Sequence, residues 1–254
     1  MNTIAIIPAR YASTRFPGKP LININGISMI ERVYRQVMKA KFVDEIVVAT
    51  DDDRIFSHVY GFGGVVVHTS PNHKSGTDRC LEALETIQNE TYQNYDVVIN
   101  VQGDEPFIEP EVIDIVASSF QDKNVDIATI KQKIDSIDDL KSPNVVKLTT
   151  TKSNKALYFS RSIIPYVKNE DLKKYLQNET FFKHIGIYGY RTNVLKEIAT
   201  ENISKLEDAE KLEQLRWIEN DYKIYAFESD AKSYAIDTVE DLENIEKLIE
   251  KGIL

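Results

Sequence analysis

Short, almost wholly apolar segments alternate with amphipathic ones through the first ~120 residues, and that rhythm admits few folds. Ile4 to Ala9, Glu45 to Thr50 (EIVVAT), Gly64 to His68 (GVVVH) and Asp96 to Val101 (DVVINV) are the length of strands and carry few polar residues. Strands without alternation are buried on both faces, the situation of a parallel sheet covered by helices. The intervening stretches supply the helices. Ser28 to Ala40 has helical spacing at Met29, Ile30, Val33 and Val37, and Asp51-Asp-Asp-Arg-Ile reads as an acidic helix N-terminus. Asp78 to Gln88 and Glu109 to Phe120 complete the series.

Beyond this point the rhythm changes. Val125 to Lys131, Val145 to Thr151 and Ala156 to Ser160 read as strands with short connections, and His184 to Arg191 alternates. These predict an antiparallel extension of the same sheet. A helix is expected from Leu206 to Glu219, with Leu206, Ala209, Leu212, Leu215 and Ile218 as its apolar stripe, then a strand from Tyr222 to Phe227 and a closing helix after Asp237-Thr238. With no repeat, low-complexity tract or linker, residues 1–254 read as a single domain of α/β class with a mixed, mostly parallel sheet.

The first thirty residues hold three basic residues and no acid, although the chain's formal charge is -9. All three lie in Arg10-Tyr-Ala-Ser-Thr-Arg15-Phe-Pro-Gly-Lys19, directly after the first strand. Ligands of such sheets bind at the carboxyl ends of strands, and a basic loop with hydroxyls and glycine there suits a polyphosphate. The loop is not a Walker A motif, because position 13 is serine where that pattern needs glycine. Gly61-Phe-Gly63-Gly64 is not a dinucleotide fingerprint either, since Val66 takes the third glycine position and the segment enters a strand.

The acidic balance argues against a nucleic-acid polymer as partner. No run approaches the ~18 consecutive apolar residues of a bilayer span, and the N-terminus lacks the order of a signal peptide, so a cytoplasmic protein is expected. Cys80 is the one cysteine, which excludes an intrachain disulfide and a cysteine metal cluster.

Asn100-Val-Gln-Gly-Asp104-Glu-Pro106 follows the fourth strand and places Asp104 at the same sheet edge as the basic loop. Mg²⁺ is held by one or two carboxylates plus phosphate oxygens, so Asp104 is a candidate ligand, although such a tripeptide taken alone more often marks an acidic turn. Asp237-Thr-Val-Glu240 fits a capping box with Asp237 as N-cap, a role compatible with showing its second oxygen to a cation. His73-Lys-Ser-Gly-Thr-Asp-Arg79 brings Ser75, Gly76 and Arg79 to the end of another strand, where they could bond a base or ribose. Glu213 and Gln214 lie off the apolar stripe of their helix. His58, His68 and His73 have no partner at metal spacing and read as structural or solvated.

In order along the chain, PARYASTRFPGKPL, ATDDDRI, SGTDR, INVQGDEP, ALYFSRSIIP, HIGIYGY, LEQLR and IDTVEDL resemble the 3-deoxy-manno-octulosonate cytidylyltransferase family. The resemblance implies an α/β nucleotidyltransferase fold, usually a homodimer, that uses CTP and Mg²⁺. It implies CMP transfer to a 3-deoxy sugar acid with release of pyrophosphate, for lipopolysaccharide synthesis. It assigns the triphosphate to Arg10, Ser13, Thr14, Arg15 and Lys19, with Ala9 beside them, and the cytidine to Ser75, Gly76, Arg79 and Gln102. It gives the metal to Asp104 and Asp237, the chemistry to Lys19, Arg10, Asp104 and Asp237, and the sugar to Arg161, His184, Tyr188, Glu213 and Gln214.

Two departures bear on this. Members commonly read GVDTPEDL where this chain has Ala235-Ile-Asp237-Thr-Val239, and many have proline at position 205, where lysine stands. The second form also resembles members that take an 8-amino analogue of the sugar. A cytidylyltransferase for that analogue or for a sialic-acid type, and a non-catalytic nucleotide-binding regulator, are the alternatives.

Overall fold

A computed structural model describes residues 1–12, 16–168, 172–177, 181–232 and 234–254. Its contacts gather into two compact units, Met1–Ser118 with Lys232–Leu254, and Ser119–Ala231.

The first unit is built on four parallel strands. In chain order it runs β1 (Thr3–Ala9), the short pair β2 (Asn23–Ile24) and β3 (Ile27–Ser28), α1 (Met29–Val37), β4 (Glu45–Thr50), α2 (Asp53–Gly61), β5 (Val66–His68), α3 (Gly76–Thr91), β6 (Val97–Asn100) and α4 (Pro110–Ser119). β1 lies between β4 and β6, and β5 adds outside β4, all parallel. Ile4, Ala5, Ile6 and Ile7 are fully buried, as are Val47, Val48, Val97, Val98 and Ile99, which is why these segments carry no polar alternation. Because the strands are parallel, Ala9, Thr50, His68 and Asn100 end at one edge. Ser28 caps α1 by accepting from the Glu31 N–H, and Ser75 caps α3 by accepting from Asp78 N–H at 3.1 Å.

The second unit contains β7 (Ile127–Lys133), α5 (Ile137–Lys141), β8 (Lys147–Thr150), β9 (Ala156–Ser160), α6 (Leu172–Gln177), β10 (Phe182–Arg191), α7 (Thr192–Ile198), α8 (Lys205–Glu210), α9 (Gln214–Glu219) and β11 (Ile224–Glu228). β7 pairs parallel with β11 and antiparallel with β10, and β8 pairs antiparallel with both β10 and β9. This is the expected antiparallel portion. Among its fully buried side chains is Lys147, whose ammonium donates to the carbonyls of Ser142, Val145 and Arg161 at 2.6–2.9 Å. Burial lowers its pKa from the ordinary lysine value, with the nearby Arg161 charge acting the same way.

The chain then returns to the first unit with α10 (Val239–Glu250). Ile236 and Ile245 pack with Ile24 and Met29, a small apolar cluster that docks this last segment on the β2–β3 pair and α1.

Two expectations are corrected. The helix expected over Leu206–Glu219 is two helices, α8 and α9, broken at Lys211 in the left-handed region (φ 53°). Ala209 is exposed in consequence, and Gln214, off the apolar stripe of the expected helix, is the buried first residue of α9. Asp237 is not the N-cap of α10. Thr238 is, in a capping box with Asp241, so the pattern sits one residue further on than the Asp237/Glu240 reading. Thr and Asp serve these positions as well as Asp and Glu do, and sequence spacing alone fits both registers.

Candidate active site

Three loops leaving the strand ends of the first unit, joined by the segment before α10, line one cleft. Its wall includes Ala9, Arg10, Lys19, Ser75, Gly76, Arg79, Gln102, Asp104 and Asp237. Every residue expected from sequence to hold nucleotide or metal is therefore gathered here, except Ser13, Thr14 and Arg15, which lie outside the described residues.

The base of the basic loop is closed by the Gly18 N–H, which donates to Tyr11 O at 3.0 Å. Gly18 has φ 72°, and a Cβ there would stand 3.0 Å from the Tyr11 ring, so both backbone and space require glycine. The Tyr11 ring also receives the Arg54 guanidinium at 3.3 Å from its centroid, with Arg54 paired to Asp52.

Lys19 reaches into the cleft and is largely buried. Its Nζ donates to Asp104 Oδ2 at 2.7 Å and to Asp237 Oδ1 at 3.0 Å. The two carboxylates come from distant parts of the sequence, and a main-chain bond from Ile236 N–H to Asp104 O (3.0 Å) links their loops. Gly103 sits tight against β1, where a Cβ would meet Pro8 O at 2.9 Å; only glycine lets the Asp104 loop lie this close. Asp237 is steadied by Asp241, whose Oδ2 accepts from Asp237 N–H (2.9 Å), Thr238 N–H (2.8 Å) and Thr238 Oγ1 (2.9 Å). Burial pushes the Asp241 carboxyl up, but these bonds and the Lys19 charge outweigh it and hold the pKa below its ordinary value.

Two hard oxygen donors converging on one cationic nitrogen fit a small divalent cation that takes its remaining ligands from phosphate and water. Among the described residues no third His, Cys, Asp or Glu joins them as a complete protein cage.

The loop before α3 is fixed from behind. Arg79 is buried, with Nη1 2.5 Å from Thr69 Oγ1 and Nη2 3.2 Å from Asp51. Glu82 accepts from Ser70 N–H at 2.8 Å and pairs with His73 Nε2. Burial raises the Glu82 pKa, yet these two bonds bring it below the ordinary value. His73, read from sequence as structural or solvated, thus lines the cleft with Lys74 and holds its loop. Sequence reasoning missed Asp51, Glu82 and Asp241 as site residues, since each acts through a partner: Asp51 and Asp241 stand inside quoted motifs, but nothing in those motifs shows which acid faces the cleft and which one holds its neighbour. Gln102 donates to Asn100 Oδ1 at 3.2 Å, which orients its amide at the end of β6.

The residues expected to bind sugar lie in the second unit. His184, Tyr188 and Trp217 form a ring cluster with Phe159 and Tyr190. Burial lowers the His184 pKa to about 3, so the ring is neutral. Thr129 Oγ1 lies 2.7 Å from Ile187 O, which takes its one proton, so His184 Nε2–H donates to that hydroxyl at 2.9 Å. Tyr188 is pushed well above the ordinary phenol value, by burial and then by the Glu213 carboxylate, and its hydroxyl has no hydrogen-bond partner among the described residues. Arg161 donates to the carbonyls of Glu210 (2.7 Å), Pro143 (2.9 Å) and Lys211 (3.4 Å), which ties β9 to the break between α8 and α9.

Comparison with known proteins shows the family and the fold. The family model described as cytidylyltransferase matches residues 4–224. A Parabacteroides distasonis protein named 3-deoxy-manno-octulosonate cytidylyltransferase is 52% identical, with 96% of each chain covered. A Bacteroides thetaiotaomicron protein of the same name is 49% identical, with 98% of each covered. The solved structure of CMP:2-keto-3-deoxy-manno-octonic acid synthetase complexed with CTP matches with a TM-score of 0.90 and 37% identity, covering 99% of this chain and 100% of that one. A nucleotidyl transferase from Methanothermobacter, at 14% identity and a TM-score of 0.61, shares the fold. The chain belongs to the 3-deoxy-manno-octulosonate cytidylyltransferase family.

Proposed function

We propose that this protein transfers CMP from CTP to the anomeric hydroxyl of 3-deoxy-manno-octulosonate, acting as one cytidylyltransferase domain. The single observation that carries this reading is the convergence of Lys19, Asp104 and Asp237 in a cleft that also holds Arg10, Ser75, Gly76, Arg79 and Gln102. A non-catalytic regulator has no need of both carboxylates and the lysine at one point.

The reaction is an in-line displacement. The sugar's anomeric oxygen forms a bond to the α-phosphorus, the bond from that phosphorus to the bridging oxygen breaks, and pyrophosphate leaves. The protein contributes positioning and charge neutralisation, the main sources of rate in phosphoryl and nucleotidyl transfer. Lys19 and Arg10, with Ser13, Thr14 and Arg15, offset charge on the departing pyrophosphate. Ser75, Gly76, Arg79 and Gln102 hold the cytidine. Asp104 and Asp237 would hold Mg²⁺, which would make the attacking hydroxyl more acidic and offset phosphate charge. The sugar acid falls to Arg161, His184, Tyr188, Glu213 and Gln214. Neutral His184 and Tyr188 can offer it hydrogen bonds but no charge. None of these residues is assigned as a general base.

A homodimer, a cytoplasmic location and a place in lipopolysaccharide synthesis complete the proposal. Among the described residues no helix is long and apolar enough to cross a membrane. Reaction with sugar labelled with ¹⁸O at the anomeric hydroxyl tests the step: the label should appear in the bridge between sugar and CMP, and its loss to water would overturn the proposal. The 8-amino analogue run in competition reads the substrate's C8 preference.

A further inference from the structure

The Lys19 ammonium sits within bonding distance of both carboxylates assigned to the metal, and a divalent cation taking the same two oxygens must move it. We propose that Lys19 is an internal counter-ion that competes with the divalent cation for Asp104 and Asp237, and that loading of the cation turns its ammonium onto the nucleotide phosphates. The inference rests on the metal role proposed for those two aspartates.

Three observations support it. The Lys19 side chain is mostly removed from water, and its ammonium makes two ion pairs there. The loops bearing the acids are tied together by the Ile236–Asp104 main-chain bond and by Asp241, so the carboxylates meet a single cation whether or not Lys19 supplies it. Finally, Lys19 opens the 3-10 turn Lys19–Leu21 directly after left-handed Gly18, so its backbone is fixed while four side-chain torsions remain to carry Nζ. Electrostatics gives the direction. Two carboxylates without their ammonium repel each other and bind a divalent ion more tightly, whereas with it they must first release a cation. A lysine suits this exchange better than an arginine, whose forked guanidinium would hold both carboxylates in a more rigid geometry.

The test is Mn²⁺ titration of the full-length protein without nucleotide, followed by electron paramagnetic resonance of the free ion. Lys19→Met should bind Mn²⁺ at least ~5-fold more tightly than the native protein. Equal or weaker binding by the variant would overturn the counter-ion role while leaving the metal site standing. Failure of both proteins to bind Mn²⁺ even with CTP present would overturn the metal reading and this inference with it. Should the variant fail to fold, the native protein answers by ¹⁵N spectroscopy of lysine ammonium groups. A slowly exchanging Lys19 signal lost on adding Mg²⁺ supports the exchange, and a signal unmoved by saturating Mg²⁺ overturns it.

Discussion

The main-chain N–H of Ile236 donates to the main-chain carbonyl of Asp104 at 3.0 Å, joining two loops more than a hundred residues apart in sequence. Ile236 is fully buried in the cluster with Ile24, Met29 and Ile245. Packing of the last helix thus sets the distance from Asp237 to Asp104, so the geometry of the two carboxylates depends on an apolar contact made outside the cleft.

Asp104→Asn should lower kcat by at least ~10²-fold, because the amide keeps the shape but not the charge that a divalent cation or Lys19 requires. The circular dichroism spectrum and thermal midpoint should stay close to native. Near-normal turnover would remove Asp104 from the reaction.

Asp241→Ala takes one acceptor from three donors, two of them on the main chain that carries Asp237. Residues that orient metal ligands are typically worth ~10–100-fold in affinity or activity. The Mg²⁺ concentration for half-maximal rate should rise by that order, with KM for the sugar little changed. The Asp241 pKa is depressed in the folded state, so its stabilisation is present above the unfolded value of 3.8 and is lost as pH falls through the lower folded value. Acid denaturation of Asp241→Asn should lack this component.

His184 provides a second pH test, with the window set by burial. Its folded pKa is about 3 against 6.5 for the free side chain. Between those values the unfolded chain binds a proton that the folded protein refuses, so stability rises with pH across the window and this contribution is complete above 6.5. Urea titrations should show up to ~1.4 kcal/mol per pH unit from this residue. His184→Gln should flatten that slope, and an unchanged slope would contradict the buried neutral ring.

Asp51→Ala would leave the buried Arg79 guanidinium with Thr69 as its remaining side-chain hydrogen-bond partner among the described residues. Breaking one side of such a pair costs about 3–5 kcal/mol. A clear drop in thermal midpoint is expected, together with weaker CTP binding as the loop before α3 loosens.

The parallel half of the fold was legible because its strands are buried on both faces and its helices carry clean apolar stripes, as Met29, Ile30, Val33 and Val37 do in α1. The cleft was legible for a related reason: parallel strands deliver their following loops to one edge, so Arg10, Ser75 and Asp104 had to lie near each other. Other features escaped because no local pattern encodes them. The break at Lys211 needs a left-handed lysine, which sequence does not announce, and Gln214 beyond it is buried. The register of the α10 cap was ambiguous between Asp237 with Glu240 and Thr238 with Asp241, and the structure has the second. Arg161 could be named from a motif, but its bonds to three carbonyls depend on where the chain turns at 143 and 210.

The most direct test of the central claim is pyrophosphate release from CTP by the purified protein, with and without Mg²⁺ and with 3-deoxy-manno-octulosonate present or withheld. The account predicts multiple turnovers only when CTP, Mg²⁺ and the sugar acid are all present, and none in chelator or in the Asp104→Asn variant. Tight CTP binding with no pyrophosphate released on offering either this sugar or its 8-amino analogue would contradict it.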